Sequence, residues 1–209
     1  MAISISPSFT TDKLEDATVD DVIDVHEDRI RNWLLKPAAT LVAQNHGSPA
    51  AFCILLTYFE AAWSYKVTTS SKGRSKEFFR LGFVDVFKSS GVPEPVLLRT
   101  GELLYVDARC GFFHHGMFRE RVYFAEMNKD LVITLPKKAG ALNLLGEIQS
   151  VLVDVGRCHD AVSRHFNADV ATLRNAVNVL EREAFFAFFK SQCDWESPGP
   201  VIGIAEPVA

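Results

Sequence analysis

Residues 50–63, Ala-Ala-Phe-Cys-Ile-Leu-Leu-Thr-Tyr-Phe-Glu-Ala-Ala-Trp, leave a helix no polar face. Phe52, Ile54, Leu55, Leu56, Tyr58, Phe59, Ala62 and Trp63 point to nearly every side of a 3.6-residue winding, so the segment needs protein all round it. The run carries one charge, Glu60, and falls short of the roughly 20 apolar residues that span a bilayer. A bundle with this helix, about 49–67, at its centre is the economical solution. The rest of the chain has to enclose it.

The flanking patterns supply suitable helices. From Val19 to about Asn45, Val22, Val25, Ile30, Trp33, Leu34, Leu41 and Val42 recur at three- and four-residue spacing, acids leading and bases trailing. Pro37 has no N–H to donate and should kink or divide this helix near Lys36. Further helices are expected over about 75–89, 96–114, 142–166 and 168–189. The period changes between them: Arg121–Met127 and Leu131–Leu135, joined by Asn128-Lys129-Asp130, read as a short β-hairpin. The expected fold class is therefore mainly α, a helical bundle over 19–190 with a small inserted β-hairpin at about 121–135. Residues 1–18 read as a flexible arm and 191–209 as a loose tail.

Sixteen phenylalanines in 209 residues ask for a thick core, a greasy oligomer surface, or both. A net charge of −4 excludes a chain coated in basic surface for indiscriminate DNA binding. The charge is uneven, however. Residues 12–28 are strongly acidic, whereas Lys72, Arg74, Lys76 and Arg80 stand against Glu77 alone and form a local patch able to meet a phosphate backbone. A solvated loop end is the plainer reading of the same residues. Cys53, Cys110, Cys158 and Cys193 show no pairing pattern and fit a reduced, cytoplasmic setting. The first residues carry neither a cationic start nor a long apolar run, so no membrane partner is expected.

Chemistry concentrates in residues 105–118, where Arg109 precedes His114 and His115 between Gly111 and Gly116. Arginine is a permanent planar cation suited to phosphate, and histidine carries protons near neutral pH. On an unbroken helix Arg109 shares a face with Glu102 and Tyr105, and His114 lies about 140° away on the stripe of Asp107 and Cys110. Joint action needs either a helix that loosens at Gly111 and ends by Gly116, or a second copy of the chain. Cys110 and His114 are spaced for thiol chemistry, but Asp107 lies two turns from the histidine and cannot orient its ring. Cys158, His159, Asp160 and His165 form a zinc set only on paper, and no metal or cofactor is expected.

The run Arg109-Cys110-Gly111-Phe112-Phe113-His114 resembles the motif of the HEPN superfamily: arginine, four to six residues, then histidine at the end of a late helix in a compact bundle. His115 matches with five intervening residues, and residues 151–174, with Arg164-His165-Phe166 and Thr172-Leu173-Arg174-Asn175, resemble a late helix of bacterial HEPN-like families. The likeness extends over residues 20–190. It implies a homodimer, with RNA, a nucleotide or another protein as partner. In catalytic members it implies a metal-independent ribonuclease in which His114 or His115 moves the proton and Arg109 clamps the scissile phosphate. Those members usually carry a small polar residue directly after the arginine, where this chain has Cys110. A dimerising or RNA- or nucleotide-binding module is the expectation, with Glu102, Tyr105, Asp107, Cys110, Lys72, Arg74, Lys76 and Arg80 as its binding set; a two-subunit ribonuclease is the alternative. In a purely structural reading, Arg109 pairs with Glu102 or Asp107, Phe112 and Phe113 close the core, and the histidines cap the helix.

Overall fold

The computed structural model describes residues 4–192. In chain order it contains α1 (Val19–Arg29), a wide-turn π segment at Ile30–Leu35, α2 (Lys36–Val42), α3 (Ser48–Lys66), α4 (Ser75–Phe87) and α5 (Glu94–Leu103). A second π segment, Leu104–Cys110, leads into α6 (Gly111–His115). Next come strands β1 (Val122–Phe124), β2 (Leu131–Thr134), β3 (Lys137–Lys138), β4 (Ala141–Leu142) and β5 (Ser150–Val153), then α7 (Val155–Arg174) and α8 (Val179–Gln192). The result is mainly α-helical with a small mixed β region.

Helix α3 occupies the centre, with α2, α4, α7 and α8 packed around it. Phe52, Leu55, Leu56 and Phe59 are fully buried. Phe59 meets Phe79 and Phe83 edge-on, both with ring centroids 5.4 Å away. The helices come this close because glycine stands at the crossings. A Cβ on Gly82 would lie 1.9 Å from the Phe59 carbonyl oxygen, and one on Gly101 3.2 Å from the Arg80 Cα. Gly82 thus lets α4 lie directly on α3, and Gly101 does the same for α5 on α4.

The division expected at Pro37 is present, and it is a widening rather than a break. The Lys36 N–H reaches the Arg31 carbonyl, five residues back, just before Pro37, which has no N–H. The wider winding accommodates the missing i−4 bond and the proline ring without ending the helix.

The β-hairpin expected at about 121–135 does not form. Strands β1 and β2 do not pair with each other; both pair with β5, β1 parallel and β2 antiparallel, in the order β1-β5-β2. Residues 150–153, expected within a helix, make the central strand, with Val151 and Val153 buried. Asp154 explains why the intervening loop spreads around the end of β5. Its carboxylate accepts the Met127 N–H at 2.8 Å and the Arg157 N–H at 3.0 Å, while its own N–H donates to the Asp130 carbonyl. One residue therefore anchors the loop and caps α7. The tight hairpin lies later, between β3 and β4, where Ala139 and Gly140 both take left-handed backbone.

Residues 4–18, expected as a flexible arm, dock on α1. Ile5, Phe9 and Leu14 join Val22, Ile23, Val25, Phe185 and Phe189 in a second apolar cluster, and Asp28 accepts the backbone N–H and the hydroxyl of Ser8. The tail expected from 191 lies, beyond Gln192, outside the described residues, as does Cys193. His26 sits at this second cluster with its ring against Tyr65 and Phe185, 4.4 and 5.2 Å between centroids. Burial, helped by the Arg29 charge, pushes the imidazole down to about 4.

Two stability outcomes are expected. Gly82→Ala should cost at least about 2 kcal/mol, seen as a lower denaturation midpoint at unchanged slope, because the α3 backbone has to move. An unfolded chain protonates His26 near pH 6.5, whereas the folded chain resists until about pH 4. Stability is therefore full above that unfolded value and falls as pH drops through the window. Wild type should lose about 2 kcal/mol more than His26→Phe between pH 7 and pH 5 in parallel urea titrations.

Candidate functional site

The motif helix reaches its end as the sequence requires. Gly116 takes left-handed backbone with φ 72° and donates its N–H to the Phe112 carbonyl at 2.8 Å, closing α6. Gly111 permits the returning chain to pass, since a Cβ there would stand 3.0 Å from the Met117 carbonyl oxygen. The helix loosens ahead of Gly111, not at it, through the π segment 104–110.

Arg109 projects towards α3. Its Nη2 lies 2.8 Å from Glu60 Oε2, and its guanidinium stacks on the Tyr105 ring at 5.1 Å. Ser71 Oγ donates to the other Glu60 oxygen at 2.7 Å. The pairings with Glu102 or Asp107 considered from sequence are not made. Glu102 pairs with Lys76, and the buried Asp107 binds Arg121 at 2.8 Å. The signal for Glu60 was in the sequence: a lone acid on an otherwise apolar helix needs a cation brought to it.

His114 and His115 are exposed at the end of α6, with ring centroids 6.5 Å apart. Among the described residues neither hydrogen-bonds to Arg109 or to any carboxylate, and no bond links Cys110 to His114. His115 instead shares a shallow cleft with Asp107, Arg119 and Arg121. Of the two aromatics expected to close the core, Phe112 packs on Phe118 at 5.4 Å, but Phe113 is 59% exposed. Within one subunit, arginine and histidines therefore serve different surfaces.

The basic segment does converge with part of the motif helix. Arg74, Lys76 and Arg80 line one depression with Glu77, Glu102 and Tyr105, the same tyrosine on which Arg109 stacks. Arg74 is paired with Glu77 at 2.8 Å. Arg80 makes no ion pair among the described residues, and its Nε is buried without a partner. Lys72 is exposed and lies outside the depression.

A second polar cluster escaped the sequence reading because its members are far apart in the chain. Asp85 Oδ2 lies 3.0 Å from His165 Nε2, and His165 Nδ1 lies 2.8 Å from the Tyr58 hydroxyl. Lys66 and Lys88 also hold Asp85, at 2.7 and 2.9 Å. Burial alone would raise the Asp85 carboxyl, but hydrogen bonds from His165, Lys66 and Lys88 outweigh it and hold the group well below the usual range. An ionised Asp85 only accepts, so Nε2 carries a ring hydrogen, while Nδ1 faces both the Tyr58 hydroxyl and, at 3.2 Å, Asp169 Oδ2. Burial pushes the Tyr58 phenol well up, so it is a hydrogen-bond donor and no nucleophile. The cluster braces α3, α4 and α7 together.

The zinc set drawn from Cys158, His159, Asp160 and His165 does not assemble. Cys158 is buried, with burial pushing its thiol well up. The His159 Nε2 faces the Leu35 carbonyl at 3.1 Å, and among the described residues no group of three His, Cys, Asp or Glu side chains is placed to hold a metal. Nor is any described helix long and apolar enough to cross a membrane. In comparisons with known proteins, no family model, curated sequence or solved structure matches this chain.

Removing the Arg109 side chain leaves Glu60 a half-buried acid with only Ser71. Arg109→Ala should destabilise by about 2 kcal/mol, less than a fully buried pair because the guanidinium is partly solvated. Adding Glu60→Gln should restore part of that loss. An additive double-mutant cycle would show that the two side chains are uncoupled.

Proposed function

We propose that this chain is a HEPN-like bundle that binds RNA or nucleotide phosphate in the basic depression beside the motif helix, without cleaving it. The observation that carries this reading is Arg80, a half-buried guanidinium that makes no ion pair among the described residues and only a longer-range interaction with Glu77 and Glu102, in a depression shared with Arg74, Lys76 and Tyr105. Phosphate oxygens satisfy such a group, and they exchange readily with the solvated carboxylates now facing Arg74 and Lys76. Tyr105 offers an aromatic surface for a base beside them. Binding is favoured over cleavage because Arg109 is committed to Glu60 and Tyr105 while His114 and His115 stand elsewhere. The second copy expected in this family is assigned to the α6 end, where Phe113 and Met117 are 59% and 65% exposed beside the histidines.

The test is fluorescence anisotropy with a short labelled single-stranded RNA across a salt series. Arg80→Ala should weaken binding about tenfold at about 50 mM salt and flatten the log–log salt slope by about 0.7, the value for one phosphate left unneutralised. Equal binding by wild type and variant, or none by wild type, refutes the proposal. Cleavage by wild type in excess chelator, abolished in both Arg109→Ala and His114→Ala, would replace binding with catalysis.

A further inference from the structure

We infer that the cavity between α1, α3, α7 and α8 is a binding site for a small organic cation with an apolar body. It lies away from the basic depression, and its argument is independent of the RNA reading. Its volume of about 510 Å3 falls within the range of small-molecule sites. Tyr58, Tyr65, Phe166 and Phe185 line it, with Tyr65 and Phe185 centroids 5.5 Å apart. Such rings bury an apolar body and attract a cation through their faces.

Charge selects the sign of the ligand. Asp169 and Glu181 also line the cavity. The one lining cation among the described residues, Lys66, is held 2.7 Å from Asp85, so its charge is answered from outside the cavity. Two carboxylates face the space: Asp169, which burial raises although its Oδ2 lies 3.2 Å from His165 Nδ1, and Glu181, which makes no ion pair among the described residues and so lacks a compensating positive charge. An ammonium group would supply that charge, and an anion would be repelled.

His26 points to the same conclusion. It is more than nine-tenths buried, lines the cavity, and makes no hydrogen bond among the described residues. An imidazole at a cavity wall with no protein hydrogen bond leaves a ring nitrogen available to a ligand there. The ring is uncharged at neutral pH and offers a hydrogen bond without repelling a cation. At the mouth Leu180, 78% exposed, adds an apolar lip.

Three probes share one apolar body and differ in the head: 4-tert-butylbenzylamine, 4-tert-butylbenzyl alcohol and 4-tert-butylbenzoate. They are titrated calorimetrically into the full chain near pH 7, with the His26 ring followed by NMR. The amine should bind about tenfold tighter than the alcohol, the benzoate should not bind, and the His26 signals should move with the amine. Glu181→Gln, at an exposed position on the rim, should weaken the amine about threefold, and Asp169→Asn more. The inference is overturned if no probe binds, if all three bind alike, if the amine binds with His26 unmoved, or if neither variant changes its affinity.

Discussion

A helix without a polar face has to be enclosed, and most of this structure results from enclosing α3. Its apolar side chains meet α2, α4, α7 and α8, and its few polar side chains decide what else must be nearby. Glu60 draws in Arg109 and Ser71. Tyr58 draws in His165, and through it Asp85 and two lysines. Ser64 turns its hydroxyl to the Glu60 carbonyl of its own helix. Each of these answers a buried or half-buried polar atom, whose cost if left alone exceeds the net gain of an ordinary hydrogen bond. The arginine of the motif is thus fixed by the central helix before any ligand is considered.

The two π segments let the enclosing helices keep this contact while the chain changes direction. One precedes Pro37 and the other contains Tyr105 and Arg109. A wide turn rotates the downstream helix about its axis relative to the upstream one. Tyr105 and Arg109 consequently serve the α3–α4 side, whereas His114 and His115 emerge where Gly116 ends the helix. A strictly α-helical projection from Leu103 to Gly116 leaves out this rotation, so the ideal angle of about 140° between Arg109 and His114 does not describe the wound chain.

The outer surfaces show the same division between saturated and unsaturated groups. Ion pairs occupy Arg109, Asp107, Glu102 and Asp85, and those side chains act as braces. Arg80 and His26 lack such partners among the described residues, and each borders a concavity of suitable charge. We propose opposite ligands for the two concavities, one phosphate-bearing and the other cationic. This contrast is set locally: the first turns of α4 and the preceding Arg74 offer basic residues beside Tyr105, while α7 and α8 offer acids beside a stack of aromatic rings.

The sequence alone determined what is local or forced by composition. The all-round apolar run required a central helix, Pro37 required an irregularity, and Gly116 supplied the left-handed stop. Residues 150–153 misled because a short apolar run winds or extends equally well until neighbours decide, and here β1 and β2 on either side made it the middle strand. The partners of Arg109, the Tyr58–His165–Asp85 chain and the cavity beside His26 unite residues from distant parts of the chain. No spacing rule reaches across such separations: these contacts exist only because burying α3 presses separate helices together, and only then does each buried polar atom acquire its neighbour or remain without one.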